Sequence, residues 1–326
     1  MTYKIFLTRL GNGLLVLLGV AIMNFTLVHM APGDPAMIFA GEAGGGDETY
    51  VEQLRQDMGL DKPLVTQFAI YAGDLLRGDL GYSFRNQRDV ASMIVERIPA
   101  TLLLTMTAFG IALIIGIVFG MLGGWFRNTL LDRGLMIVTL VLYATPLFWL
   151  AMMFVLLFSV RLGWFPPFGM QSVLVPDAPL DRLLDIGRHL VLPAFSLGLF
   201  YAATYARLVR ASVINVSNAD FVKTARAKGV PGGRILRVHV LRNAILPVFS
   251  LASVHIGQLV GGAVLTETVF AWPGIGRLMF DAILQRDYPV ILGVFLTTGL
   301  LVILVNIVTD LLYRIVDPRI EHTAGN

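Results

Sequence analysis

Six long apolar runs constrain this chain more than any other feature of its sequence. They lie near residues 10–30, 98–126, 134–160, 189–210, 243–266 and 288–312. Each reaches the roughly 20 residues that an α-helix needs to cross about 30 Å of hydrocarbon. The composition agrees, since 56% of the 326 residues are hydrophobic and only 14% are charged. The sequence therefore predicts an all-α polytopic membrane protein with six transmembrane helices.

The first apolar run resembles a secretory signal peptide, because Lys4 and Arg9 precede it. It is longer than a typical signal h-region, however, and no A-x-A cleavage site closes it. We therefore interpret 1–31 as a retained first transmembrane helix. A hydrophilic extracytoplasmic insertion, 32–97, would follow, and 98–326 would form a core of five transmembrane helices. Helical spacing within the insertion predicts two short helices, at 50–58 and 64–76.

The charge distribution predicts how the chain is oriented. The N-terminus, the loop at 127–133, the region 207–242 and the tail hold fourteen Lys and Arg against five Asp and Glu. Loops on the cytoplasmic side of membrane proteins are enriched in Lys and Arg, so we expect both termini in the cytoplasm. The net charge of +3 then reflects topology and gives no indication of nucleic-acid binding.

The sequence lacks the motifs of the common catalytic and energy-coupling sites. It has no cysteine, no G-x-x-x-x-G-K-[ST] phosphate loop, no H-E-x-x-H and no G-x-S-x-G. We therefore expect no metal, no cofactor and no catalytic residue in this chain, and no proton relay of membrane carboxylates. The alternative hypothesis is a membrane-embedded enzyme whose catalytic residue is His255, inside the fifth predicted helix, or His189.

The most basic segment of the chain, the loop at 211–242, contains a predicted short helix. Ser217-x-x-Asp220 resembles a capping box, and Gly229 followed by a proline is a stop signal. Residues 218–228 are therefore expected to be helical.

One edge of this helix would be apolar and would carry Phe221, Val222 and Ala225, with Lys223 and Arg226 beside it. A helix this short is marginal by itself. Such an edge suits a groove on a partner protein, and the basic flanks suit an anionic membrane surface equally well. The residues alone leave both alternatives open.

Seven motifs in fixed order resemble one known family over nearly the whole chain. They are P-G-D-P (32–35), G-L-D-K-P (59–63), G-D-L-G (78–81), T-A-R-A-K-G (224–229), L-R-N-A-I-L-P (241–247), T-E-T-V-F-A-W-P-G (266–274) and R-D-Y-P (286–289). The resemblance is to the integral-membrane subunits of bacterial ABC importers, specifically the first permease subunit of the dipeptide/oligopeptide type. The general importer loop is E-A-A-x-x-x-G. Lys223 and Thr224 stand where its Glu and first Ala would be, so the contacts of that Glu are not carried over.

This resemblance implies a type I ABC importer permease fold in the bacterial inner membrane. The implied partners are a second homologous permease subunit, two ABC ATPase subunits that bind ATP and Mg, and an extracytoplasmic binding protein that delivers the peptide. Close relatives carry glutathione, nickel chelates or sugars, and these remain alternative substrates.

Two sets of residues become candidates for partner contact. The 218–228 helix would be the coupling helix, with Asp220, Phe221, Val222, Ala225, Arg226, Lys228 and Gly229 on the ATPase side. The turn-rich outer segments would face the binding protein with Asp34, Asp79, Glu267, Pro273, Gly274 and Asp287.

Overall fold

The computed structural model of the chain describes residues 3–30, 61–174 and 178–316, together with helical residues at 37, 49, 51, 52 and 55. Asp34 and most of the helix predicted at 50–58 lie outside the described residues. The chain divides into two compact units, which are 1–99 with 274–304, and 100–273 with 305–326.

Helices make up nearly all of the regular structure. The longer ones are α1 (Tyr3–Met30), α2 (Leu64–Leu76), α3 (Val90–Trp125), α4 (Leu130–Ala144), α5 (Leu147–Phe154), α6 (Pro179–Ser217), α7 (Asp220–Ala227), α8 (Leu246–Val269), α9 (Ile275–Gln285) and α10 (Tyr288–Val316). A π-helical stretch, Val155–Arg161, continues α5, and another, Ile235–Leu241, lies between the short turns Gly232–Arg234 and Arg242–Ala244. The strands β1 (Tyr82–Ser83) and β2 (Arg88–Asp89) form an antiparallel hairpin.

The predicted membrane helices are present, although their bounds differ from the apolar runs. Among the described residues, five stretches are long and apolar enough to cross a membrane, namely Gly11–Met30, Val90–Trp125, Pro179–Ser217, Gly232–Ala252 and Tyr288–Ile307. A sixth span requires α4 and the α5 segment together, and these are bent by 106° at their junction. Because α3 begins at Val90, it runs through the predicted boundary between insertion and core at 97/98.

The bend between α4 and α5 has a local cause. Pro146 has no N–H to continue the α4 hydrogen-bond pattern, and it becomes the N-cap of α5 with φ −60° and ψ 136°. The Thr145 N–H donates the last bond of α4 to the Val141 carbonyl oxygen at 3.0 Å, and the Thr145 hydroxyl donates to the same oxygen at 2.7 Å. Pro146 therefore ends α4 and breaks the helix completely.

The unit formed by 1–99 and 274–304 has a small apolar core. Val90 and Ile94 at the start of α3 pack with Ile275 of α9 and Val290 of α10. The buried Asn24 of α1 donates from Nδ2 to the Leu292 carbonyl oxygen of α10 at 3.1 Å. The α2 prediction at 64–76 is confirmed.

The unit that contains 100–273 is built around α6. Three glycines of α3, spaced four residues apart, let the two helices approach closely. A Cβ atom added at Gly116, Gly120 or Gly124 would lie 2.5–2.7 Å from a Cβ atom of α6. Tyr205 and Val209 of α6 are completely buried beneath this contact.

Candidate functional site

The short basic helix exists, but it begins later than its sequence signals predicted. The helix α7 has eight residues, about 12 Å, and its N-cap is Ala219, which makes no side-chain cap hydrogen bond. Ser217 instead ends α6, and its buried Oγ has no hydrogen-bond partner in the described part of the chain. The capping-box prediction is therefore wrong, because α6 extends through the residue that was expected to cap α7.

The three apolar side chains of α7 do not share one environment. Val222 is 0% exposed and Ala225 is 8% exposed, and both belong to a core cluster with Val213 of α6 and Ile235 of the following segment. Phe221 is 47% exposed. The prediction that all three face outward is wrong for Val222 and Ala225. These two lie three residues apart on the inward face, and they seat the helix on its own chain.

The exposed side chains of α7 and its C-cap are mostly basic. Lys223, Arg226 and the C-cap Lys228 are exposed, as is Phe221, and the Arg226 guanidinium carbon lies 6.0 Å from the centroid of the Trp125 ring. Asp220 is the acidic residue of this helix, and its Oδ1 accepts a hydrogen bond from Lys223 Nζ at 2.8 Å. Both side chains of that pair are more than half exposed, so the pair stabilises α7 little and stays open to other contacts.

The end of α7 depends on Gly229. This residue has φ +72°, a left-handed conformation that glycine adopts without strain. Its N–H donates to the Arg226 carbonyl oxygen at 3.0 Å, and the Val230 N–H donates to the Ala225 carbonyl oxygen at 3.2 Å. These two bonds form a Schellman motif. The prediction that Gly229 turns the chain out of the helix is confirmed.

A buried ion pair that the sequence analysis missed lies at the base of this region. Arg210 of α6 donates from Nε to Asp132 Oδ1 at 2.7 Å and from Nη2 to Asp132 Oδ2 at 2.9 Å. The Asp132 side chain is 4% exposed, and Asn128 adds a backbone N–H donor at 2.9 Å. An acidic residue three positions after Thr129, in a basic loop, was the available signal.

The outer carboxylates predicted to meet a partner are instead used inside the chain. Asp287 is completely buried and accepts hydrogen bonds from Ser83 Oγ at 2.5 Å and Asn86 Nδ2 at 3.0 Å. Glu267 is also completely buried and accepts a hydrogen bond from Thr101 Oγ1 at 2.7 Å. Neither carboxylate is on the surface of the chain, so neither side chain is exposed to a partner. That the segment 267–287 faces the binding protein stays a prediction.

The other outer candidates are turn residues. Asp79 is exposed, and its Oδ1 accepts the N–H of Gly81 at 2.9 Å, as a turn aspartate does. Pro273 is half-buried, and the buried Gly274 is the N-cap of α9. Asp79 is thus the candidate of this set that the structure leaves on the surface, while Asp34 lies outside the described residues.

Comparison with known proteins identifies the family of this chain. Residues 112–322 match the family described as the binding-protein-dependent transport system inner membrane component. The chain belongs to this family. Residues 2–105 match the N-terminal family of the same transport-system membrane components. The two matches together cover nearly the whole chain, including α7 and both halves of the buried ion pair.

Known permease proteins align with nearly the whole chain. The di/tripeptide transport system permease protein DppB of Pseudomonas aeruginosa is 40% identical over 96% of this chain and 97% of its own length. The dipeptide transport system permease protein DppB of Escherichia coli K12 is 39% identical over 97% of this chain and 98% of its own.

The solved structures agree on the fold. A chain of the inward-facing MetNI methionine ABC transporter has a TM-score of 0.56 at 19% identity and covers 69% of this chain and 96% of its own length. This likeness shows the type I ABC importer permease fold. The protein is thus the inner-membrane component of a binding-protein-dependent transport system.

His189 and His255, the candidate catalytic residues of the alternative enzyme hypothesis, lie in separate surroundings. The buried His189 has its Nδ1 2.8 Å from the Asp185 carbonyl oxygen. The His255 ring lies 5.5 Å, between centroids, from both Tyr201 and Tyr205. No group of three or more His, Cys, Asp or Glu side chains able to hold a metal ion occurs within the described residues. The relatives are transport permeases, which favours transport over catalysis.

Proposed function

We propose that this chain is a permease subunit of an ATP-driven importer and forms, with a second homologous permease subunit, the translocation path for di- and oligopeptides. An extracytoplasmic binding protein delivers the peptide, and two separate ABC ATPase subunits bind ATP and Mg and hydrolyse ATP. Both termini lie in the cytoplasm. The peptide substrate is supported by relatives of about 40% identity whose names specify di- and tripeptide transport.

The observation that carries the coupling role is the division of α7 into two faces. Val222 and Ala225 bury the inner face in the core around α6, so a push on the helix is passed to a membrane span. Phe221 stays 47% exposed, and Lys223, Arg226 and Lys228 are exposed as well. Aromatic residues and arginine are enriched in the cores of protein–protein interfaces.

We therefore assign Phe221 to a cleft on the ATPase. The alternative, a helix that rests on anionic headgroups, also accounts for the three cations. Glutathione, nickel chelates and sugars remain alternative cargoes within the same architecture, and none of the described contacts favours them over peptides.

Site-specific cross-linking tests this assignment. The chain has no cysteine, so Phe221→Cys introduces a single thiol into it. In the assembled transporter, a thiol-directed photoactivatable cross-linker on residue 221 should capture an ATPase subunit in high yield. Val222→Cys is the matched control, because its side chain is completely buried one residue away and should give no product.

Two results would contradict the proposal. Capture of lipid in place of the ATPase from residue 221 would favour the headgroup alternative. Labelling of residue 221 in intact cells by a maleimide that cannot cross the inner membrane would place α7 on the outer side, against the proposed orientation.

A further inference from the structure

The Asp132–Arg210 ion pair lies where three helices converge, next to the helix that we assign to ATPase docking. Arg210 is in α6, seven residues before its end at Ser217, or about 10 Å along the axis. Asp132 is in the first turn of α4, and its Oδ2 also accepts the N–H of Asn128 in the turn between α3 and α4. The pair therefore connects α6 to both α4 and the end of α3.

The glycines through which α3 contacts α6 lie next to the same ion pair. A Cβ atom added at Gly123 would lie 3.3 Å from Asp132 Oδ1 and 3.4 Å from Arg210 Cδ. One added at Gly124 would lie 2.7 Å from Val213 Cβ, one turn further along α6. The α3 backbone therefore covers the ion pair directly, without an intervening side chain.

Motion applied to α7 reaches α6 through this junction, and it reaches the span Gly232–Ala252 separately through Ile235. Only Asn218 and Ala219 separate α6 from α7, and Val222 of α7 packs in the same cluster as Val209 and Val213 of α6. The two hydrogen bonds between Arg210 and Asp132 fix the angle between α6 and α4 as well as their distance. An apolar contact would allow the helices to slide, whereas separating these charges is costly because the Asp132 side chain is 4% exposed, although that of Arg210 is 26% exposed.

We propose that Asp132 and Arg210 are positioning residues that clamp α3, α4 and α6 into one body, so that displacement of α7 moves the three helices together. This inference rests on the proposed coupling role of α7. It adds a specific requirement, because the ion pair must stay closed in both the resting and the ATP-bound states. If α6 instead bent or slid at residue 210, ATP-driven movement of α7 would be lost before it reached α3 and α4.

A distance measurement tests the clamp independently of the transported substrate. Leu131 of α4 and Ala211 of α6 are exposed beside the ion pair, and cysteines at these positions can carry nitroxide labels. In the purified transporter with cysteine-free partner subunits, the label distance from electron paramagnetic resonance should be the same without nucleotide and after ATP–vanadate trapping. A nucleotide-dependent change in the otherwise wild-type chain would overturn the proposal.

The functional test uses Asp132→Asn, which keeps the shape of the side chain and removes its charge. Trialanine uptake per ATP hydrolysed should fall about tenfold in proteoliposomes, as expected when charge-assisted hydrogen bonds are weakened. Arg133→Gln is the matched control, because it removes an exposed charge from the neighbouring residue and should leave this ratio unchanged. An unchanged ratio in Asp132→Asn would contradict the clamp.

A covalent tie separates positioning from a purely electrostatic role. In the double variant D132C/R210C, a short bifunctional thiol reagent should restore the uptake ratio to within about twofold of wild type. If cross-linking is complete and the uptake ratio is not restored, a fixed distance between α4 and α6 is not sufficient for coupling, and the clamp is refuted. If residue 221 still captures the ATPase in that case, the proposed function stands without the clamp. If residue 221 does not capture the ATPase, the clamp and the proposed function are both refuted.

Discussion

Replacement of Gly120 by alanine is the sharpest test of the packing between α3 and α6. The added Cβ atom would lie 2.5 Å from the Ala206 carbonyl oxygen, 2.5 Å from Val209 Cβ and 2.9 Å from the Arg210 nitrogen. All three atoms belong to the rigid part of α6, and none is the end of a flexible side chain. Because carbon atoms prefer separations of about 3.5–4.0 Å, α6 must move away by roughly 1 Å.

The size of the effect follows from two opposing contributions. Overpacking of this kind costs about 1–3 kcal/mol, whereas alanine in a helix interior is favoured over glycine by about 1 kcal/mol. A shift of roughly 1 Å also stretches the Arg210–Asp132 hydrogen bonds of 2.7 and 2.9 Å beyond the usual limit near 3.2 Å. We expect Gly120→Ala to destabilise the chain by about 2 kcal/mol in total.

A second glycine of the same helix provides the matched control. A Cβ atom added at Gly110 meets nothing within 4 Å, so Gly110→Ala should show only the gain in helix propensity, about 1 kcal/mol. The two variants should therefore shift the thermal midpoint of the purified chain in detergent in opposite directions, with a difference of about 6 °C. Equal midpoints for both variants would refute the close contact of α3 with α6.

Two further predictions concern the hydrogen bonds of Asp287 and the end of α7. Asp287→Ala removes the acceptor of the buried Ser83 hydroxyl and of the buried Val290 N–H, and should lower the thermal midpoint by about 6 °C, whereas Asp281→Ala, at a half-exposed side chain, should change it by less than about 1 °C. Equal shifts would contradict a stabilising role of the Asp287 hydrogen bonds. Gly229→Val should reduce cross-linking from residue 221 several-fold, whereas the asparagine variant, which tolerates φ +72°, should retain most of it. Equal cross-linking yields for the valine and asparagine variants would show that position 229 does not require a residue that tolerates a left-handed conformation.

The sequence predicted the membrane helices well because they depend on local composition. An apolar run of about 20 residues forms a helix in lipid whatever its neighbours are, since every backbone polar group must be satisfied within the segment. The stop at Gly229 was also predictable, because a Schellman motif needs only the residues next to it. The 106° angle of the break at Pro146 was not predictable from the proline alone.

The faces of α7 were harder to predict than its existence. A helical wheel shows that Phe221, Val222 and Ala225 lie on one side, but it does not show what the rest of the chain places against that side. The core formed by Val213 and Ile235 covers part of the apolar edge and leaves Phe221 outside. Contacts between segments decided the burial, and one sequence does not contain that information.

The acidic residues show the same limit most clearly. In the described part of the chain, the buried carboxylates are Asp132, Glu267 and Asp287. Each accepts hydrogen bonds from a side chain 78 to 204 residues away, which explains why neither turn composition nor periodicity revealed their roles.

This use of carboxylates follows from the environment of the helices. Lipid provides little hydrophobic force to hold helices together, so buried polar contacts specify their arrangement. The carboxylates thus join parts of this chain, whereas Lys223, Arg226 and Lys228 remain exposed on α7. The proposed docking of α7 on an ATPase therefore requires a receiving surface that is acidic opposite these cations and apolar opposite Phe221. A partner cleft of the opposite character would be repelled by α7, so the charge of that cleft is a direct check on the proposed docking.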